Sequence, residues 1–214
     1  MRRALFVLSL SSVLIPVIAK ADGIDFTNRF GSVTILSSGI TSRESELMSF
    51  DGMSASNGHA LGRVNFATGA LSSGSLWTGG TFSSTGSMFD VIGQGSWMRQ
   101  LPGMGGAKGK CALFTGAFTG TIDWTLASSN QQFREYVLSG DIAGTLWNGR
   151  FVEGQTTQII NTYSNQERIN NWGSLGGGTT SLTSLTTPEP GSLGLLSLGL
   201  LTMIGMFRAK MFAT

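Results

Sequence analysis

The stretch at residues 114–126 reads FTGAFTGTIDWTL and decides the fold class. Its apolar and aromatic residues occupy even positions, and threonine or aspartate occupies most of the odd ones. This period of two is typical of a β-strand with one buried face, because successive side chains of a strand point to opposite sides. Gly116 and Gly120 fall on the apolar face, which indicates close approach of facing side chains or a bend in a long strand.

A second stretch of the same form begins 24 residues later, where residues 138–146 read LSGDIAGTL. Both stretches fit the pattern apolar-x-Gly-x-apolar-x-Gly-x-apolar, through either an internal duplication or two neighbouring strands with the same packing demand. In either case we expect them to lie in one antiparallel sheet. Asn148-Gly149 follows, and this dipeptide predicts a type I′ hairpin that leads into a strand at about 150–160.

Further short strands are predicted by apolar segments between glycine-containing turns. They cover residues 33–36, 46–50, 62–66, 70–77 and 87–92. No stretch keeps a 3.6-residue period for more than about two turns. About seven to nine short strands predict an all-β body, an antiparallel β-sandwich or flattened barrel, with the sandwich preferred.

The body is predicted to occupy residues 22–163. After it the alternation fades into Asn, Gln, Gly, Ser and Thr, and residues 173–187 read GSLGGGTTSLTSLTT. Small polar residues without periodicity favour a flexible chain. Residues 164–187 are therefore predicted to form a flexible stalk, whose hydroxyl groups are candidate carriers of glycans.

The positive charge of the chain is concentrated at its two ends. The sequence has 14 Lys and Arg against 12 Asp and Glu, and its pI is near 9.0. Five of the basic residues lie at 1–21 and 188–214, and without these segments the formal net charge is −2. Nucleic-acid binding requires a surface that neutralises phosphates, so no nucleic-acid partner is expected for this mildly acidic body.

The first 21 residues have the order of a secretory signal peptide. Residues 1–3 (MRR) form a positive start, an apolar run follows at 4–18, and Ala19 and Ala21 frame an A-x-A cleavage site. The apolar run is short for a hydrocarbon core of about 30 Å, which disfavours an uncleaved anchor. We expect the export machinery and signal peptidase to act here, so that the mature chain begins at Asp22.

The last residues combine three features in a fixed order. The triplet Pro188-Glu189-Pro190 comes first, and its two prolines keep it extended and out of a helix. An uncharged run of 17 residues at 191–207 follows, which reaches about 25 Å as a transmembrane helix. Arg208 and Lys210 then form a basic cluster that the positive-inside rule holds in the cytoplasm. This pattern closely resembles the PEP-CTERM sorting signal of Gram-negative bacteria.

The resemblance covers about residues 187–214 and leaves the body unassigned. It implies export, transient anchoring in the inner membrane, and recognition of the triplet by an exosortase-like membrane enzyme that removes the tail at 188–214. It also implies a final location at the cell surface or in the extracellular matrix of a bacterium that makes exopolysaccharide and biofilm. Exopolysaccharide is accordingly the partner that this setting offers to the body.

Residues suited to catalysis or metal binding are sparse. His59 is the only histidine and lies in an expected turn, and Cys111 is the only cysteine, which we interpret as a small buried hydrophobe. Neither a catalytic triad nor a transition-metal site is favoured. Asp123 and Asp141 are the carboxylate pair that a glycoside hydrolase would use, although solvated surface charge is the favoured interpretation. No enzymatic activity, cofactor or metal is expected.

Two short motifs superficially suggest ligand sites. Glu44-Ser45-Glu46 lacks the spaced oxygen donors of a calcium loop. Residues 103–110 read GMGGAKGK, but the stretch departs from the phosphate-binding pattern at Met104 and Cys111. We therefore expect 103–110 to be a mobile connection between strands.

The tryptophans are candidates for core packing or for stacking against sugars. They are Trp77, Trp97, Trp124, Trp147 and Trp172. Trp147 is the best sugar-binding candidate, because it should point away from the apolar face of its strand at the edge of a hairpin. The expected function is structural or adhesive, in the envelope or exopolysaccharide matrix. A carbohydrate-binding module is the alternative, and a carboxylate-dependent secreted hydrolase is the third possibility.

Overall fold

Long strands with one apolar face dominate the architecture. A computed structural model describes residues 23–56, 58–107, 109–130, 132–165 and 168–184. The predicted signal peptide at 1–21 and the predicted sorting tail at 188–214, with its helix at 191–207, lie outside these residues.

The described residues form twelve strands and one short 3₁₀ helix. In chain order the elements are β1 Gly23–Arg29, β2 Ser32–Leu36, β3 Gly39–Phe50, β4 Met53–Ser54, β5 Gly62–Ala67, β6 Leu71–Ser75, β7 Gly79–Phe82, β8 Met88–Gln94, the 3₁₀ helix Ser96–Gln100, β9 Lys110–Ser129, β10 Phe133–Leu146, β11 Phe151–Asn165 and β12 Arg168–Ser184.

Eight of these strands close into an antiparallel barrel. The order around the ring is β9, β10, β11, β12, β1, β3, β5, β8 and back to β9. The predicted all-β antiparallel body is therefore confirmed. Of the two forms that the alternation left open, the chain adopts the barrel, because β9 pairs with both β8 and β10 and so joins the two ends of the sheet.

The other four strands extend the barrel locally. β6 and β7 form a hairpin that pairs with β9 at residues 122–125. β2 pairs with β12 on one side and β3 on the other, so it continues the barrel wall beyond the end of β1. β4 pairs with the last residues of β3.

The two glycine-patterned stretches are neighbouring strands, since β9 and β10 pair along most of their length. Gly116 lies opposite Gly144, and a Cβ added to these residues would lie 2.6 Å and 2.8 Å, respectively, from Cζ of Phe114. The glycine pair thus leaves room for the Phe114 ring. Gly120 has a φ of 73° where the register with β10 shifts, so it bends the strand. Close approach and bending, the two predicted roles, are both present.

The Asn148-Gly149 hairpin forms where it was predicted, between β10 and β11. The type I′ turn is wrong, because Gly149 (φ 81°) has a positive φ and Asn148 does not. The Gly149 N–H donates to the Leu146 carbonyl (2.9 Å), and the Asn148 side-chain oxygen accepts the Arg150 N–H (3.0 Å). Asn148 therefore stabilises the turn through its side chain, and glycine alone supplies the left-handed residue.

The barrel interior has an aromatic side and a polar side. Buried rings come mainly from β5, β8, β9 and β10: Phe66, Phe89, Phe114, Phe118, Trp124 and Tyr136. On the side of β11 and β12, Asn28 Nδ2 donates to Ser45 Oγ (2.8 Å) and Gln158 Oε1 (3.0 Å). Gln158 Nε2 donates in turn to Thr156 Oγ1 (2.8 Å). These hydrogen bonds offset the cost of removing polar groups from water.

The flexible stalk predicted at 164–187 is wrong, because most of it is β12. This strand pairs with β11 and β1 over much of its length and with β2 at residues 172–174. Its inward residues include Leu175, Thr180 and Leu182, which are buried, and a Cβ at Gly178 would collide with the Gln158 side chain. These small residues fit against the polar side of the barrel interior. The folded body therefore extends to residue 184 and does not end at 163.

Candidate binding surface

Three aromatic side chains form a row across the outer face of the last three barrel strands. Phe133 of β10 pairs with Tyr163 of β11, and their ring centroids lie 6.3 Å apart in an edge-to-face arrangement. Tyr163 is 68% exposed and Trp172 of β12 is 62% exposed, the largest values among the large apolar side chains that the structure describes. We refer to Phe133, Tyr163 and Trp172 as the aromatic row.

The pairing of Thr162 with Gly173 brings Trp172 close to Tyr163, at a shift in the strand register between Thr162 and Ser164. Thr162 pairs with Gly173, and its hydroxyl donates to the Trp172 carbonyl (3.1 Å). Trp172 in turn pairs with Thr34 of β2. Since neighbouring strands are about 4.8 Å apart, the aromatic row extends about 10 Å across the strands.

The surface beside the aromatic row is polar and carries small side chains, so it does not project as far as the rings. Asn161 lies between Glu135 and Ser174 in the register, two residues from Tyr163 on the same face of β11. A Cβ on Gly176 would lie 2.6 Å from Asn161 Nδ2, so the missing side chain makes room for the amide. Asn161 Oδ1 accepts no hydrogen bond from the described residues. This oxygen is itself buried, so the Asn161 amide fills the space beside the row and leaves the surface there flat.

Glu135 is the charged residue beside the row among the side chains that the structure describes there. It lies two register positions from the Phe133–Tyr163 pair and opposite Asn161. Arg134 extends to the other face of β10, where its guanidinium lies 3.3 Å from the Trp77 ring centroid and donates to the Trp77 carbonyl (3.2 Å). A bound polyanion would thus meet Glu135 and not Arg134.

Trp147, the predicted sugar-binding residue, lies at the opposite end of the barrel. It packs into the region formed by the 3₁₀ helix Ser96–Gln100 and the connection that follows it, which we call the cap. Its ring lies edge-on to Phe50 at 5.8 Å, and its indole N–H donates to the Pro102 carbonyl (3.0 Å). Trp97 packs on the same Phe50 ring at 6.0 Å. The expected exposed position at the hairpin edge is wrong, because the apolar cap draws the indole inward.

Trp124 and Trp77 are also occupied by packing. Trp124 is buried, stacks on Tyr136 with ring centroids 4.2 Å apart, and donates its indole N–H to the Leu76 carbonyl (3.0 Å). Tyr136 donates its hydroxyl to the Trp77 carbonyl (2.9 Å), and burial is the main cause that raises the pKa of Tyr136. Of the five tryptophans, Trp172 alone is largely exposed in the part of the chain described here.

The candidate carboxylates are exposed on the neighbouring strands β9 and β10. Asp123 is exposed opposite Ser139, and Asp141 is exposed opposite Thr119, where Gln155 Nε2 donates to it (3.0 Å). His59 is exposed and forms an isolated backbone bridge with Ser56.

The two short motifs are parts of the barrel wall and cap. Glu44 forms an ion pair with Arg63 (2.5 Å) at a bulge of β3, where Glu44 has a φ of 59°. Met104, within 103–110, is buried, so this connection contacts the core at that residue; Lys108 is not among the described residues. Cys111 is half-buried against the same core. No three His, Cys, Asp or Glu side chains cluster within the described ranges.

A second surface feature is a shallow groove of about 420 Å³ on the outer face of β3, β5 and β8. It is lined by both signs of charge, including Arg43, Arg63, Glu44 and Lys110. Asp90 lies in the same face, paired in the register with Asn65 and Thr115. Burial raises the pKa of the Asp90 carboxyl above its ordinary value.

Replacing Asp90 with asparagine is expected to stabilise the barrel slightly at neutral pH. A raised pKa means that the folded state binds the proton more tightly, so the ionised carboxylate costs stability once the pH exceeds that pKa. Solvent screening keeps the gain below about 1 kcal/mol, since Asp90 is partly exposed. Thermal midpoints of Asp90→Asn should exceed wild type near pH 7 and converge with it in acid. Asp123→Asn is the matched control, and an equal gain in both variants would contradict the explanation.

No helix in the described part of the chain has the length and apolar character needed to cross a membrane. No protein-family model, curated protein or solved structure gives a significant match to this chain.

Proposed function

We propose that this chain is an exported, exosortase-sorted protein whose barrel has a structural or adhesive role in the envelope or exopolysaccharide matrix. The observation that carries the proposal is the order of features at 188–214: the Pro188-Glu189-Pro190 triplet, an apolar run and the basic pair Arg208 and Lys210. A signal peptide at 1–21 is consistent with it. The proposal assigns the barrel no catalytic role.

The position of the chain ends in the barrel supports this route. β1 and β12 are antiparallel neighbours, and Gly23 pairs with Thr183. Three residues separate Ser184 from Pro188, so the last barrel residue lies within about 14 Å of the triplet even if the connection is fully extended. The predicted signal cleavage site and the triplet therefore adjoin the same end of the barrel, which would be held close to the membrane until the tail is removed.

Intact mass and fractionation of the protein from its native host test the proposal. The expected product begins at Asp22, ends near Pro188–Pro190 and leaves the inner membrane. A double variant, Pro188→Ala with Pro190→Ala, should keep its tail and stay in the inner membrane, whereas Thr186→Ala should be processed normally. Recovery of wild-type protein with an intact tail in the inner membrane would contradict the proposal.

A carbohydrate-binding module is the second candidate, and the aromatic row favours it. Exposed aromatic faces suit the C–H faces of sugars, and large exposed rings in a row are unusual on a surface without a ligand. Trp147 no longer supports this candidate, because its indole N–H and one ring edge are engaged within the cap.

A further inference from the structure

The aromatic row has the properties of a built contact surface. Tyr163 and Trp172 carry rings that are more than half exposed, and they lie on adjacent strands of a closed barrel beside a shift in the strand register between Thr162 and Ser164. Neither the Tyr163 hydroxyl nor the Trp172 indole N–H has a protein partner among the described residues. Rigid rings with free polar groups lose little conformational entropy on binding, which makes them efficient contact residues.

We propose that the aromatic row binds a neutral polysaccharide chain, which lies across β10, β11 and β12. Sugar rings stack on the exposed rings of Tyr163 and Trp172, while Phe133 packs edge-to-face against Tyr163 and supports it. The tyrosine hydroxyl and the indole N–H donate to sugar oxygens. This proposal rests on the proposed function for where the ligand is met, namely in an exopolysaccharide matrix. The proposed sugar-binding site is therefore the aromatic row, at the end of the barrel opposite to Trp147 and the cap.

The surroundings of the row select among ligands. Gly176 keeps the neighbouring surface low, so a chain can lie flat beside the rings. Glu135 repels uronic-acid or sulfated polymers, while Arg134 is held against Trp77. A neutral polymer therefore fits better than an anionic one.

Affinity electrophoresis of the full-length chain in non-ionic detergent tests the site, with gels that contain hydroxyethyl cellulose, dextran or alginate. We expect retardation by at least one of the two neutral polymers and not by alginate. Trp172→Ala and Tyr163→Ala should each weaken binding about five- to tenfold, the effect of losing one stacked ring. Phe151→Ala is the matched control, because Phe151 is a 52% exposed ring at the other end of β11.

Each other outcome overturns the proposal. No retardation by the neutral polymers, retardation by alginate alone, or equal loss in Phe151→Ala would each exclude this site for neutral glycans. Sedimentation of the same chain in detergent tests whether the row is instead a contact between two copies. A dimer that Trp172→Ala dissociates would show that it is. The binding measurement does not depend on tail removal, so its failure is distinguishable from failure of the sorting route.

Discussion

A chain that ends at Tyr163 will not fold, whereas a chain that ends at Thr187 will give the complete barrel. β12 fills the ring position between β11 and β1, and its removal leaves two strands with unpaired edges. It also removes Leu175 and Leu182, both buried in the interior. Open edges and an exposed apolar interior favour aggregation over a smaller stable fold.

Circular dichroism and urea unfolding of two chains, 22–163 and 22–187, measure this difference. The shorter chain should show no cooperative transition. Two point variants of the longer chain separate loss of packing from loss of length: Leu182→Asp places a charge in the interior, and Ser181→Asp places one on the outer face. We expect Leu182→Asp to prevent folding and Ser181→Asp to unfold near wild type. A cooperative transition in chain 22–163 would restore the stalk prediction.

Trp124→Ala is expected to lower the free energy of unfolding by about 3–5 kcal/mol, the range for removing a large buried aromatic ring. Trp124 is 1% exposed, and its indole N–H bonds the Leu76 carbonyl in the hairpin of β6 and β7. The variant therefore leaves a cavity beside Tyr136 and removes a contact that holds this hairpin against the barrel. We expect faster amide exchange in β6 and β7 than in β10.

Urea unfolding monitored by circular dichroism measures the effect of Trp124→Ala. Trp172→Ala is the natural control, because its ring is largely exposed and its removal should change stability by no more than about 0.5 kcal/mol. Trp124→Phe should recover much of the loss, since it keeps a ring against Tyr136 and gives up only the bond to Leu76. Comparable losses in the two alanine variants would contradict the assignment of Trp124 to the core and Trp172 to the surface.

The strands of the aromatic side were predictable, because a period of two with large apolar residues is a strong local signal. The sequence predicts both β9 and β10 as neighbouring strands, and it predicts that their glycines allow close approach or a bend. β12 was not recognised, because its inward residues alternate among Gly, Leu, Thr and Ser, a composition that also suits a flexible chain. Such a strand is determined by the strands that it pairs with. The amides of Asn28 and Gln158 pack beside Gly178 and Thr180, and the local sequence of β12 does not predict these contacts.

The candidate site was harder to predict for the same reason. Trp172 lies in a segment whose composition favours a flexible stalk, so the sequence predicts no sheet face for it. Its pairing with Thr34 and its position beside Tyr163 depend on contacts between distant parts of the chain. The prediction for Trp147 is wrong for the opposite reason. Local alternation predicts an outward side chain, whereas contacts with Phe50 and the Pro102 carbonyl hold the indole in the cap. The sequence signal for this site is a pair of aromatics, Tyr163 and Trp172, on either side of a stretch rich in Asn and Gln.

The pairing of β1 with β12 has a consequence for the order in which the protein matures. In the export route that we propose, the chain crosses from its first residue to its last, so β1 would cross long before the strand that completes its hydrogen bonds. Closure of the ring joins the most distant parts of the body, and contacts of such long range form slowly. Under this proposal the barrel would close only when the residues next to the Pro188-Glu189-Pro190 triplet arrive outside. Membrane retention by the tail would give the late-closing chain time to fold before release, so early cleavage should yield misfolded protein.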